Sequence, residues 1–297
     1  MSVLKISGLS KNYGKVKALQ KLDLIVESGQ VLGLLGPNGS GKTTTLGIIL
    51  GIIRQDEGSF EWFENQYGEQ HRLKIGAILE TPNFYPYLNA DDNLDIVRHI
   101  KHEEQTDFDN LLTLVNLKER RKSKFSTYSL GMKQRLAIAA TLIGNPDVVI
   151  FDEPTNGLDP QGIAEVRTIL KRIADTGKTV IMASHILDEV EKICSHVAII
   201  KSGQLLASGP VGAIVNNDIT IELAAENMEK LKQFLSRLDL VKSMFDNGQI
   251  MEIGVSADTD FTAINKLAFE NGITLSHFVA RKKRLETEFL EITSTSK

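Results

Sequence analysis

The chain has 297 residues, 42% hydrophobic and 24% charged, with 34 Lys and Arg against 38 Asp and Glu for a formal charge of −4. This composition excludes a mainly disordered chain and leaves enough apolar surface for a real core, while the length fits about two domains. The acidic balance demands no basic face, so nucleic acid is not an expected partner, and the single cysteine, Cys194, excludes an internal disulfide or a cysteine zinc site and fits a reducing cytosol.

Met1 opens onto Leu4-Lys5-Ile6 with no basic segment leading an apolar core, so no signal peptide is expected. No apolar run nears the roughly 20 residues that span a bilayer. Residues 22–26 and 31–35 read as strands, and a helix is predicted over 42–52. Residues 75–79 form another short apolar run. Between about 90 and 143 the strand signal gives way to helical spacing, carried by Leu94, Val97 and Ile100, then Leu111, Leu114 and Val115, then Leu136, Ile138 and Leu142. Residues 148–151 are continuously apolar, as in a strand buried on both faces. Ile163, Val166, Leu170 and Ile173 mark a helix face, 179–183 a strand, 186–193 a helix and 197–200 a strand. Strands alternating with helices predict an α/β fold with a mainly parallel sheet.

After Ser208-Gly209-Pro210 the pattern restarts. Residues 219–223 are strand-like. Met228, Leu231, Phe234, Leu235 and Leu238 form a helix face, and Met251, Ile253 and Val255 alternate as in a half-buried strand. Ile264, Leu267 and Ala268 are helical, and 275–280 is strand-like. This predicts a small α+β domain over 216–297, of ferredoxin-like type, behind a first domain over 1–215.

Residues 32–35 lead into Gly36-Pro37-Asn38-Gly39-Ser40-Gly41-Lys42-Thr43, a G-x4-G-K-[ST] phosphate loop with a strand before it and a helix after it. Its glycines let backbone N–H groups turn toward phosphate oxygens, and the helix directs its positive end at the anion. Lys42 is placed to reach the β- and γ-phosphates and Thr43 to offer its hydroxyl to Mg²⁺; Thr44 completes the nucleotide-binding stretch. A second acidic site follows the apolar strand, in Phe151-Asp152-Glu153-Pro154. Alone, Asp-Glu reads as a solvated turn. After four buried-type residues in a chain with a phosphate loop, Asp152 reads as a Mg²⁺ holder and Glu153 as the group that orients and deprotonates a water attacking the γ-phosphate.

Between these sites lies Tyr128-Ser129-Leu130-Gly131-Met132-Lys133-Gln134-Arg135. With it, residues 2–212 resemble the ATP-binding subunit of an ABC transporter. The segment is similar to that family's L-S-G-G-Q signature. Ser129, Gly131 and Gln134-Arg135 match it, and Leu130 and Met132 depart from it. Ser129 also suits an N-cap for a helix running to Ile143. The resemblance implies a P-loop core with an antiparallel β edge and a helical subdomain over about 90–143. It implies that Ser129, Gly131 and Met132 face the nucleotide of a second ATPase subunit, a homodimer mate or close paralogue, and that two sites form when the domains close face to face. Asn156-Gly157-Leu158-Asp159 resembles the D-loop at that interface; Asp159-Pro160 is also an N-cap and first-turn pair. His185 resembles the switch histidine at the γ-phosphate, and Tyr13, before Gly14, the aromatic that stacks on adenine. Each also has a plain reading, as a helix-capping residue and a turn aromatic respectively.

Where the family normally has glutamine, this chain has Glu80, within Ile78-Leu79-Glu80-Thr81-Pro82-Asn83-Phe84-Tyr85-Pro86. That combination resembles the branch serving bacitracin resistance and lantibiotic immunity. Glu80 is read as a third metal candidate beside Thr43 and Asp152, or as an exposed loop glutamate. The resemblance implies an ATPase using ATP and Mg²⁺, cytoplasmic and peripheral on the inner membrane face. It would power efflux of a peptide antibiotic or drug through a separate polytopic membrane subunit. An importer subunit, a soluble ABC ATPase and a regulator without turnover are the alternatives. Retention of Lys42 and Glu153 argues against the last, and the 285–290 segment of the tail favours the exporter branch.

Overall fold

The computed structural model describes residues 1–214, 219–256 and 259–282. The chain opens as two long strands, β1 (Ser2–Tyr13) and β2 (Val16–Glu27), paired antiparallel. Leu22, Leu24 and Val26 point inward while their neighbours face out, the period-two pattern of a half-buried strand. Then follow β3 (Val31–Leu35), α1 (Lys42–Ile49), β4 (Glu57–Trp62), β5 (Ile75–Ile78), α2 (Ala90–Ile100), α3 (Phe108–Leu114), α4 (Leu130–Thr141) and β6 (Val148–Asp152). The first unit continues with α5 (Pro160–Asp175), β7 (Thr179–Ser184), α6 (Leu187–Ile193), β8 (His196–Lys201) and β9 (Gln204–Pro210).

These elements make two sheets. One is antiparallel, in the order β2-β1-β4; the other has six strands in the order β5-β6-β7-β3-β8-β9, parallel except for β8–β9. Every residue of β3, β6 and β7 is buried, and their sequences are near-continuous apolar runs, with polar Asp152, Thr179 and Ser184 only at strand ends. The antiparallel edge is thus a sheet of its own plus β9. Strand β1 escapes a simple alternation pattern because its register slips near Gly8, which takes φ +59°. Strands β4 and β9 carry few buried side chains and leave little hydrophobic signal.

Two helices stop earlier than expected. The helix predicted over 42–52 ends at Ile49, where Gly51 at φ +72° donates to Ile48 O and Ile52 donates to Gly47 O. The helix expected to reach Ile143 ends at Thr141, ahead of Gly144 at φ +78°. The helical subdomain holds α2, α3 and α4. Helix α4 is capped by Ser129, whose Oγ accepts from Met132 N at 3.3 Å, and α5 by Asp159, whose Oδ1 accepts from Gly162 N at 3.0 Å with Pro160 in the first turn. Such caps are worth about 1 kcal/mol each.

The chain divides into two compact units, Met1–Val211 and Gly212–Lys297. The boundary expected at 215–216 and the 285–290 segment lie outside the described residues. After a one-turn helix, α7 (Val211–Ile214), the second unit runs β10 (Ile219–Ala225), α8 (Met228–Leu235), β11 (Ser243–Asp246), β12 (Met251–Val255), α9 (Phe261–Glu270) and β13 (Leu275–Lys282). The antiparallel order β11-β12-β10-β13 is the split βαβ arrangement of ferredoxin-like domains. Ile221, Leu223, Ile253 and Val255 meet Leu231, Leu235 and Ile264 in its core. Strand β11, with every residue exposed, has no burial pattern and was invisible to hydrophobic reading. Leu238 packs on this core from beyond the helix end, and Leu267 is part-exposed.

Candidate nucleotide site

Register brings the site together. Leu35 pairs with Ser184 and Asp152 with Ala183, so the carboxyl ends of β3, β6 and β7 stop level. Ligands in such sheets bind beyond those ends. Gly36, Glu153 and His185 are the next residues on the three strands.

The phosphate loop leaves β3 through a tight path. A Cβ on Gly36 would collide with Ile200 O and with Ser40 Oγ, so only glycine fits. Gly41 stands at φ +111° directly before α1, and a Cβ there would meet Ala18 O of β2 at 2.5 Å. Gly203, in the turn between β8 and β9, donates to Ser40 O at 2.8 Å and braces the loop from the other side. It was not among the expected residues, although Ser202-Gly203 is a turn dipeptide. The buried Lys42 ammonium donates to Gly36 O at 2.8 Å and to Pro37 O at 3.3 Å, and lies 3.3 Å from Glu153 Oε1. Thr43 is exposed and Thr44 half-buried in the first turn of α1; Pro37, Asn38 and Gly39 form the exposed rim.

Glu153 takes φ +48°, a left-handed conformation costing about 1–2 kcal/mol for a residue with a Cβ. Its carboxylate bridges two of the expected site residues: Oε1 faces Lys42, and Oε2 lies 2.8 Å from His185 Nδ1. The structure therefore joins Lys42, Glu153 and His185. Asp152 is buried, and among the described residues its Oδ1 has no hydrogen-bond partner, nor has Ser40 Oγ. Burial raises the Asp152 carboxyl above the usual range; Thr43 and Lys42 oppose the shift, and the charges of Glu153 and Glu80 add to it.

The unfilled Asp152 oxygen and three mutually repelling carboxylates beside the Thr43 hydroxyl suit a hard divalent cation, and the Ser40 hydroxyl is free to donate to a phosphate oxygen. Thr43 and Asp152 would hold the Mg²⁺. Among the described residues no three His, Cys, Asp or Glu side chains converge as a ready-made metal cage. Mg²⁺ commonly takes one or two carboxylates plus substrate phosphate and water, so no such cage is required. Glu80 is exposed at φ +59°, near enough for its charge to act on Asp152.

The raised Asp152 carboxyl has a stability consequence. It holds its proton more tightly folded than unfolded, so its contribution is present at low pH and lost as pH rises through the raised value. Asp152→Asn is expected to raise the melting temperature of nucleotide-free protein more at pH 8 than at pH 5, while abolishing Mg²⁺-dependent turnover. Melting curves of both proteins at the two pH values check this, and equal shifts would contradict it.

The remaining residues lie in two other places. Tyr13 is half exposed at the tip of the β1–β2 hairpin, with Lys11 Nζ 5.6 Å from its ring centroid and Lys11 held by Asp56 at 2.8 Å. Ser129, Leu130 and Gly131 share a cleft of about 340 Å³ with Gly157, Leu158 and Asp159; no phosphate-loop residue lines it. Met132, outside that lining, donates its N–H to Ser129 Oγ. Arg135 ties this helix to its surroundings, donating to Val115 O at 3.0 Å and Asn116 O at 2.9 Å and standing 3.3 Å from Glu165 of α5.

A phosphate loop on a parallel sheet, an acidic pair two strands along from it, across β7, and a signature helix in a helical subdomain define a P-loop ATP-binding cassette. The family described as ABC transporter matches residues 19–156. The Bacitracin transport ATP-binding protein BcrA of Bacillus licheniformis is 34% identical over 305 residues, covering 98% of this chain and 97% of that protein. The Lantibiotic transport ATP-binding protein SrtF of Streptococcus pyogenes is 37% identical over 226 residues, covering 74% and 99% respectively. A solved ATP-binding cassette, dimeric in a post-hydrolysis state with ADP and Pi, is 25% identical with TM-score 0.62, covering 70% of this chain and 98% of that one. This chain belongs to the ABC transporter ATP-binding proteins, and its relatives include the bacitracin and lantibiotic transport branch. It is an ATP-binding subunit of the ABC ATPase type. Among the described residues no helix is long and apolar enough to cross a membrane.

Proposed function

We propose that this protein hydrolyses ATP with Mg²⁺ at the inner face of the cell membrane and drives export of a peptide antibiotic or related drug through a separate polytopic membrane subunit. The observation that carries the hydrolytic part is the contact of Glu153 with both Lys42 and His185 at the level carboxyl ends of three strands. The relatives named for bacitracin and lantibiotic transport favour a transport subunit over a soluble ATPase.

In this reading the phosphate loop wraps the phosphates with its N–H groups, Lys42 turns from Glu153 to the β- and γ-oxygens, and Tyr13 stacks on the base. Bound Mg²⁺ supplies positive charge to the phosphate oxygens. Glu153 accepts the proton of a water whose oxygen bonds to the γ-phosphorus as the bond to the β-phosphate oxygen breaks. His185 holds Glu153 and the γ-phosphate in place. The exposed Ser129–Gly131 turn and Asp159 serve the nucleotide of the opposing subunit.

Two experiments test it. Sedimentation of a slow-hydrolysis Glu153→Gln protein is expected to show monomer without nucleotide and dimer with ATP; a state indifferent to ATP would rule out the composite site. Affinity purification from membranes is expected to recover a polytopic protein, and its absence would remove the transport reading.

Glu80 is assigned to the metal side of the site. A carboxylate ~4 Å from a phosphate charge would cost up to about 4 kcal/mol at an effective dielectric near 20, which a cation between them removes. Glu80→Ala is expected to lower turnover or its coupling to resistance with ATP binding intact, and Glu80→Gln to be milder. Wild-type behaviour of Glu80→Ala in both assays would make it an ordinary loop residue.

A further inference from the structure

The contact between His185 and Glu153 depends on how the chain turns after β7, and that turn is held from behind by two buried groups to which the hydrolytic reading assigns no task. His185 stands between Ser184, fully buried at the end of β7, and Ile186, the N-cap of α6. The Ser184 hydroxyl accepts from Ile186 N–H at 3.0 Å, closing the turn across His185. The same hydroxyl donates to Oε2 of Glu189 at 3.1 Å. Glu189 is only 1% exposed, and its other oxygen, Oε1, has no hydrogen-bond partner among the described residues.

A buried carboxyl with half its acceptor capacity unfilled is a costly way to fill space; an apolar side chain of similar size would stabilise the fold more. Acidic residues favour the first turn of a helix, but an exposed one does that without the desolvation cost, and Asp188 already stands there exposed. What Glu189 adds is a fixed proton acceptor for Ser184. With its proton taken by Glu189, the hydroxyl keeps its lone pair on Ile186 N–H, and the backbone on both sides of His185 is pinned. The helix that carries Glu189 is itself seated without slack. A Cβ on Gly33 of β3 would stand 2.7 Å from Val190 Cγ1 and 3.1 Å from Cys194 Sγ.

We propose that Glu189 is a positioning residue for His185, acting through the Ser184 hydroxyl to hold the imidazole against Glu153. The inference rests on the hydrolytic reading of His185 and Glu153. Because an ångström of misplacement at a reacting group can cost up to about 100-fold, loss of this brace lowers kcat on the order of tenfold. Among the described residues Glu189 makes no hydrogen bond to Lys42 or the phosphate loop, so KM for ATP stays within about twofold on the same argument.

The test uses the full chain and the variants Glu189→Ala, Glu189→Gln, Ser184→Ala and His185→Ala, alone and in combination. Glu189→Ala and Ser184→Ala are expected to lose kcat with KM preserved. Glu189→Gln, whose amide oxygen still accepts from Ser184, is expected to recover most of the rate. In protein with ¹³C-labelled histidine, the His185 ring resonance, identified by its loss in His185→Ala, should move in Glu189→Ala and Ser184→Ala and stay in place in Glu189→Gln. In the His185→Ala background, Glu189→Ala should add no further loss. An equal loss with and without His185, or an unmoved His185 resonance in Ser184→Ala, would overturn the proposal. Wild-type turnover in His185→Ala would instead overturn the hydrolytic reading beneath it.

Discussion

Glu153→Gln is expected to lose about 10²–10⁴-fold in phosphate release while still binding ATP. The span is what a positioned general base supplies. Glutamine keeps the length and shape of the side chain, and its amide oxygen can still face Lys42 or His185. What it lacks is a site to accept the proton of the attacking water. The special character of the position is visible without any ligand. Glu153 adopts φ +48° at the end of a fully buried strand, and its two oxygens are divided between Lys42 at 3.3 Å and His185 at 2.8 Å. Strain at a residue that also links two expected site residues motivates its assignment as the base. Single-turnover phosphate release and equilibrium binding with a fluorescent ATP analogue separate the two effects. Near-normal release from the variant would remove Glu153 as the base.

Lys42→Ala is expected to fail one step earlier. The ammonium is buried beneath the loop, satisfied by two carbonyls and the Glu153 carboxylate. A charge-assisted hydrogen bond to phosphate contributes about 1.5–3 kcal/mol, so binding should weaken roughly 10- to 100-fold, and turnover should fall with it. Removal also leaves Glu153 beside Asp152 without the cation that offsets their repulsion, since Lys42 opposes the upward shift of Asp152. The two variants thus differ in kind: one binds and stalls, the other scarcely binds. ATP binding by Lys42→Ala within twofold of the wild type would show that the loop backbone alone holds the phosphates.

Much of this site could be read from residue order because its parts are local. The loop Gly36-Pro37-Asn38-Gly39-Ser40-Gly41-Lys42-Thr43 needs glycine where a Cβ meets Ile200 O or Ala18 O, so its spacing is a direct trace of its backbone. Ser129 and Asp159 were legible as N-caps for the same reason: the side chain bonds an N–H three residues on. Gly203 was not singled out, and Arg135 was read only as a match to the signature, because their work is done on partners far along the chain, Ser40 in one case and Val115, Asn116 and Glu165 in the other. Strands β1, β4, β9 and β11 escaped for a different reason. A bulge at Gly8 breaks the alternation of β1, and the other three bury too little for hydrophobic spacing to mark them.

By itself, then, the sequence determined the α/β class, the phosphate loop and the acidic pair, while resemblance to a family picked out the signature turn. The first three are signals of φ preference, spacing and periodicity that act over a few residues. Only the tertiary structure decided that Lys42, Glu153 and His185 touch, that Ser129 lies in a cleft with Leu158 and Asp159, and that the second unit pairs its strands in the order β11-β12-β10-β13. It also decided that Glu189, an ordinary first-turn glutamate in the sequence, is buried against Ser184 with one oxygen unpartnered. Strand order and register arise from the packing of whole faces, and no local preference encodes them. The level ends of β3, β6 and β7 are a property of the sheet, and the site exists because of that level.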